Sequence, residues 1–130
     1  MGKETESQWQ VNLDEARKIL SEVRTTLILS WLMIHSTDDN EERKTWGKIW
    51  GQAVREEIAT TKDLIAPAKI GLGLPLTNID IERGVIRRAK EISEMCGGTI
   101  EEGEEIATRH IEVTKRIQRR LGVEDYSSAP

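Results

Sequence analysis

Apolar residues recur at three- and four-residue intervals through four stretches of this chain, and turn-forming clusters separate the stretches. The repeat matches the helical period, and no stretch alternates with the two-residue period of a strand. An all-α fold is therefore expected. The first stretch, residues 13–35, carries Leu13, Ala16, Leu20, Val23, Leu27, Trp31 and Ile34 on one stripe. Past Leu27 it turns apolar on every side, so Leu29, Leu32 and Met33 are expected either to be deeply buried or to press against another chain.

Ser36-Thr37-Asp38-Asp39-Asn40 combines turn formers with N-cap residues, which ends the first helix and starts a second over residues 39–65. That helix directs Trp46, Ile49, Trp50, Ala53 and Leu64 inward and carries Gly47 and Gly51 four residues apart. Each glycine costs a helix about 1 kcal/mol relative to alanine. Close approach by another helix or a ligand is the expected compensation. Pro67 and Gly71-Leu72-Gly73-Leu74-Pro75 then read as a non-helical crossover. The glycines there lack the third glycine, the Lys-Ser/Thr pair and the preceding strand of a phosphate-binding loop. Lys69, within the crossover, can still meet an anion.

Thr77 with Asp80 reads as the start of a third helix, whose buried stripe is Ile81, Val85, Ala89, Ile92 and Cys96. Gly97-Gly98 is expected to close it in a left-handed cap. Thr99 and Glu102 form a capping box ahead of a fourth helix with Ile106, His110, Val113, Ile117 and Leu121 inward, ended by Gly122. Two hairpins joined by a crossover make a four-helix bundle. The expected organisation is a polar N-terminal arm at residues 1–12, a four-helix domain at 13–121 and a tail at 122–130.

A chain of 130 residues suits one domain. Its net charge of −4 is not that of a globally basic nucleic-acid protein, so any polyanion site must be locally segregated. The lone Cys96 excludes an internal disulfide and reads as a small apolar filler. The longest apolar run, Leu27 to Ile34, is about half what a bilayer requires, and the N-terminus is acidic and polar. Neither a membrane span nor an export signal is expected. Phenylalanine is absent while Ile, Glu and Arg are plentiful, a balance met in proteins from hot environments.

Reactive constellations are sparse. His110 cannot complete the Glu-x-x-His pattern of bundle di-metal sites because position 107 is alanine, and His35 lies at a helix end without an acidic partner at ligand spacing. Both read as structural histidines, and no metal or other cofactor is expected. No Gly-x-Ser-x-Gly nucleophile motif occurs.

Cations, by contrast, are ordered. Lys44, Lys48, Arg55 and Lys62 fall within an arc of roughly 40° on the second helix and extend over about 27 Å. Arg83, Arg87 and Lys90 share a face of the third helix. Arg109, Lys115, Arg116, Arg119 and Arg120 follow the acids Glu101, Glu102, Glu104 and Glu105 on the fourth, and Arg17 and Arg24 lie seven apart on the first. Each line alone describes a solvated face. If several meet on one surface, they can neutralise a row of phosphates by salt-sensitive contacts indifferent to base sequence.

In its length, polar N-terminal arm, basic-faced helical hairpins and core of Trp46, Trp50 and the apolar end of helix one, the chain resembles the major coat proteins of filamentous viruses of hyperthermophilic archaea, of the Pyrobaculum type. That resemblance implies a virion structural protein assembled inside the cell. Subunits pair, wrap linear double-stranded DNA, hold it in A-form and stack into a helical filament. The partners would be double-stranded DNA and further copies of this chain, with the need for a second paralogous coat protein left open. The DNA-facing residues would be Lys44, Lys48, Arg55, Lys62, Arg83, Arg87, Lys90, Arg109, Arg116, Arg119 and Arg120. Subunit contacts would fall on Leu29, Leu32, Met33, Gly47 and Gly51. A helical protein-interaction adaptor without nucleic acid is the plain alternative.

A second resemblance covers residues 69–121. Lys69, Pro75, Glu82, Thr114 and Gln118 stand, without gaps, in the register of all-helical chorismate mutases, with Thr114 where a serine is common. The chain departs from that family at Ile81 and Ile58, each in the place of an arginine, and at Asn78, in the place of an aspartate. Pro67 and the turn at residues 36–40 also interrupt the single long first helix of that family. The resemblance implies an enzyme stabilising a dianionic transition state, with Arg55 or Arg83 as substitute donors.

Overall fold

The computed structural model describes residues 5–126, and among them every regular element is a helix. Residues 1–4 of the expected arm and 127–130 of the expected tail lie outside the described residues. Five α-helices are present: α1 (Glu6–Ser36), α2 (Asn40–Thr60), α3 (Ala66–Leu72), α4 (Ile79–Met95) and α5 (Ile100–Arg120), with a π-helical turn (Thr61–Ile65) joining α2 to α3. Because α2, the π turn and α3 form one bent rod, the molecule is a four-rod bundle. The first hairpin is α1 with α2, and the second is α4 with α5.

Helix α1 begins earlier than its apolar stripe. Thr5 caps it by accepting from the Gln8 amide at 3.1 Å, so residues 6–12 of the expected arm are helical. The first corner is fixed by Asp39, whose carboxylate accepts from the Glu41 and Glu42 amides, and by Arg43, which donates to the Thr37 and Ile34 carbonyls.

The second boundary corrects the expected crossover. Helix continues through Pro67 to Leu72, and the left-handed Gly73 (φ 66°) ends it. Proline lacks an N–H, and its ring opposes the carbonyl one turn back. The wide turn just before it, in which the Ala66 amide bonds the Thr61 carbonyl, opens the ladder enough to admit the ring. Lys69 thereby stands in a helix. The connection to α4 is correspondingly short, and Asn78 rather than Thr77 caps α4, accepting from the Ile81 amide at 3.1 Å. The Thr99 and Glu102 capping box and the left-handed Gly97 form as expected.

Leu13, Ala16 and Leu20 pack with Ile65 and Ala68 at one end, and Ile28 and Leu32 with Ala89, Ile92, Ile106 and Ala107 at the other. Leu32 is thus core rather than a free contact surface, while Leu29 and Met33 are half-buried. Ile81 and Leu121, both expected inside, are 40% and 42% exposed, and Cys96 is exposed as well. Val123 in the expected tail is buried with Ala66 and Leu76, and the Leu76 amide donates to the Glu124 carbonyl at 2.7 Å.

The glycines divide by use. A methyl on Gly103 would collide with the Ala89 carbonyl, so this glycine sets how closely α5 lies on α4. Nothing lies within 4 Å of a methyl on Gly47, and only the Arg55 guanidinium, at 3.7 Å, approaches one on Gly51. Among the described residues, no other helix closes on that pair.

Candidate ligand-binding site

Faces of α1, α4 and α5, with the π turn and α3, converge on a small pocket of about 80 Å³ that mixes apolar and charged side chains. Helix α1 contributes Leu13, Arg17, Leu20 and Arg24, spaced at helical intervals along one side. The same spacing brings Ile81, Glu82 and Val85 from α4, below Asn78, and Ile111, Thr114, Lys115 and Gln118 from α5. Thr61 and Ile65 of the π turn, Lys69 and Leu76 close the remaining wall.

Lys69 is the pocket's most perturbed group. Its ammonium is buried and donates to the Leu76 carbonyl at 2.8 Å. Burial, reinforced by the nearby positive charges of Arg17 and Lys115 and opposed by Glu82, lowers its pKa to about 8. Lys115 pairs with Glu82 at 3.0 Å. Thr114 is buried and donates its hydroxyl hydrogen to the Ile111 carbonyl, which leaves its lone pairs available. Gln118 is also buried, and its Oε1 has no hydrogen-bond partner. A buried amide oxygen left unsatisfied inside a pocket is a place for a ligand group or a water.

Behind Arg24 lies Glu57 of α2, with none of its side chain exposed. Its carboxylate accepts from His110 Nδ1–H at 2.7 Å and meets Arg24 Nε at 3.5 Å, an ion pair longer than a good hydrogen bond. Trp50 lies edge-on to the His110 ring, with centroids 6.5 Å apart. Burial lowers the Arg24 pKa, and Glu57 opposes that shift. Counting outward from this cluster, Arg17, Arg24, Lys69 and Lys115 face Glu82 and Glu57, so four cations meet two carboxylates. The surplus is two positive charges, which suits a dianion.

Of the residues read in the chorismate mutase register, Lys69, Glu82, Thr114 and Gln118 line the pocket and Pro75 does not; Asn78 and Ile81, where the chain departs from that register, line it as well. Ile58 does not, being 38% exposed, and Arg55 and Arg83, the donors expected to substitute, are exposed and outside the lining. Arg17 and Arg24 of α1 line the pocket instead. Sequence spacing marked these arginines only as a surface line. Glu57 carried a signal, since it shares a helical side with Ala53 and Thr60, both buried.

The eleven cations expected to follow DNA are distributed differently. Lys44, Lys90, Arg109 and Arg119 pair with Glu41, Glu104, Glu105 and Asp125 respectively. Lys48, Arg55, Lys62, Arg83, Arg87, Arg116 and Arg120 are exposed, and no ion pair involves them among the described residues. Among those residues, no group of three His, Cys, Asp or Glu side chains is placed to hold a metal ion, and no helix is long and apolar enough to cross a membrane. No protein-family model, curated protein or solved structure matches the chain.

Proposed function

We propose that this chain is a chorismate-mutase-like protein whose anion pocket is completed within a single polypeptide, and that it binds and rearranges a compact cyclic dicarboxylate. One observation carries the reading. Four residues that match that family's register, Lys69, Glu82, Thr114 and Gln118, separated by up to 49 residues in sequence (69 to 118), line one pocket, and Arg17 and Arg24 of α1 bring guanidinium groups to the same lining. In such a rearrangement one bond breaks as another forms within one molecule, so the protein needs no nucleophile. It needs preorganised donors around charge that builds in the transition state. Arg17, Arg24 and Lys69 supply cations, Gln118 supplies an amide, and Thr114 and Glu82 complete the polar wall. The 80 Å³ polar end holds the carboxylate-bearing part of the ligand, and the remainder crosses the opening bordered by Ile81 and Val85.

The test is conversion of chorismate to prephenate by the purified chain, followed by its absorbance. Turnover that falls at least about a hundredfold in Lys69→Ala supports the reading. Absence of both turnover and saturable binding of chorismate or prephenate overturns it.

The coat-subunit reading is favoured by a different observation, the seven exposed cations without carboxylate partners. Here the assay is salt-dependent, sequence-indifferent binding to long duplex DNA. Charge reversal at Lys48 and Arg55 should weaken it, and electron microscopy would show filaments. No retention of DNA at low salt removes that reading.

A further inference from the structure

Beside the polar pocket, α1, α4 and α5 enclose a second cleft of about 310 Å³. Its floor is apolar, built from Leu27, Ile28, Ala89, Ile92, Ile106 and Ala107. Its mouth is charged, with Arg17, Arg24, Arg88 and Asp80 on the rim. Arg24 is already committed to Glu57, whereas no ion pair involves Arg17, Arg88 or Asp80 among the described residues. Two guanidinium groups against one carboxylate leave a single positive charge above an apolar floor.

We infer that this cleft binds an aryl-alkyl monocarboxylate, with its carboxylate at Arg17 and Arg88 and its ring on the apolar floor. Size selects within amphipathic anions. An apolar cavity of about 150 Å³ takes one benzene ring, so twice that volume takes a ring with a short side chain. A protein segment would need an interface far wider than this half-open cleft. The single surplus charge at Arg17, Arg88 and Asp80 favours a monoanion. Arg17, Arg24, Ile81 and Val85 line both spaces, but the inference stands on the cleft's own floor and on Arg88, which lines the cleft alone.

The probe is 3-phenylpropanoate, titrated calorimetrically into the full chain at pH 7. One-to-one binding with Kd below about 1 mM is expected. Gly84 lies in the cleft wall, and a methyl placed on it meets nothing within 4 Å, so Gly84→Leu fills the space without a clash at its first carbon. This variant should weaken binding at least about tenfold, as should Arg88→Gln at the exposed rim, which keeps the test decisive if the leucine disturbs folding. Octanoate and 3-phenylpropanol should each bind at least about fivefold more weakly than the probe, and Lys69→Ala should leave its affinity within about twofold. The inference is overturned by no saturable binding at 10-fold above the expected Kd, roughly 10 mM. It is equally overturned by wild-type affinity in Arg88→Gln, by octanoate or the alcohol matching the probe, or by loss in Lys69→Ala, which would place the probe in the polar pocket.

Discussion

His110 Nδ1 lies 2.7 Å from a carboxylate oxygen of Glu57, fifty-three residues earlier and wholly shielded from solvent. The contact ties α5 to α2 across the bundle. Glu57 also faces Arg24 of α1, so one side chain joins three rods at their common centre. Removing it strands a largely buried guanidinium. Breaking a buried pair from one side typically costs about 3–5 kcal/mol. Because the Arg24 side chain retains 18% exposure, Glu57→Ala is expected near the lower end of that range. His110→Ala should cost less, since Glu57 keeps Arg24. Urea midpoints of the two variants, with unchanged slopes, check the order.

The proposed anion pocket predicts a dependence on pH through Lys69. Its ammonium is charged below about 8, so anion affinity should be retained at pH 7 and decline as the solution passes through 8 toward 9. Stability moves in the opposite sense. Between about 8 and the ordinary value of 10.5 the unfolded chain holds the proton that the folded chain has released, so folding stability attributable to Lys69 rises across that window and is lost as pH falls through 8. Denaturation at pH 7, 8.5 and 10 on the native chain and Lys69→Met isolates this contribution.

Ile81, in the proposed site, stands at a position 40% exposed, where a longer side chain has room. Ile81→Arg is expected to raise turnover of chorismate by about a hundredfold, the scale of one well-placed donor in a charged transition state. Steady-state kinetics should show the gain in kcat/KM. A variant that only tightens product binding would show that the guanidinium does not meet the developing charge.

Glycines of opposite roles should respond oppositely to alanine. Gly103→Ala pushes a methyl into the Ala89 carbonyl and should destabilise by about 1–3 kcal/mol, the usual cost of overpacking. Gly47→Ala meets open space and should stabilise α2 by about 1 kcal/mol. Thermal melts of both variants decide the matter.

The hairpins were legible in sequence because their boundaries are local chemistry. Asp39, Thr99 and Gly97 act on residues within one turn of themselves, and the four apolar stripes follow a fixed period. The site was only half legible. Register placed Lys69, Glu82, Thr114 and Gln118 together, but whether α1 folds back far enough for Arg17 and Arg24 to complete the set depends on tertiary packing. Periodicity likewise made Ile81 and Leu121 look interior, but it fixes only the side of a helix a residue takes and not whether a neighbouring helix reaches far enough to cover it. Pro67 misled for a specific reason. Its break is absorbed by a change of helical pitch that no propensity scale anticipates.

That change of pitch does a second thing besides admitting the proline. Each residue of a helix turns the chain by about 100°, and the wide turn takes up one residue more than an ordinary turn within nearly the same rotation. Excising one position from Thr61–Ile65, such as the exposed Lys62, would therefore return the rod to regular winding with the ammonium four residues past the turn still toward Leu76, while the Pro67 ring would lose the gap that admits it. The surplus residue works as a clutch, making room for the ring while everything downstream keeps its phase.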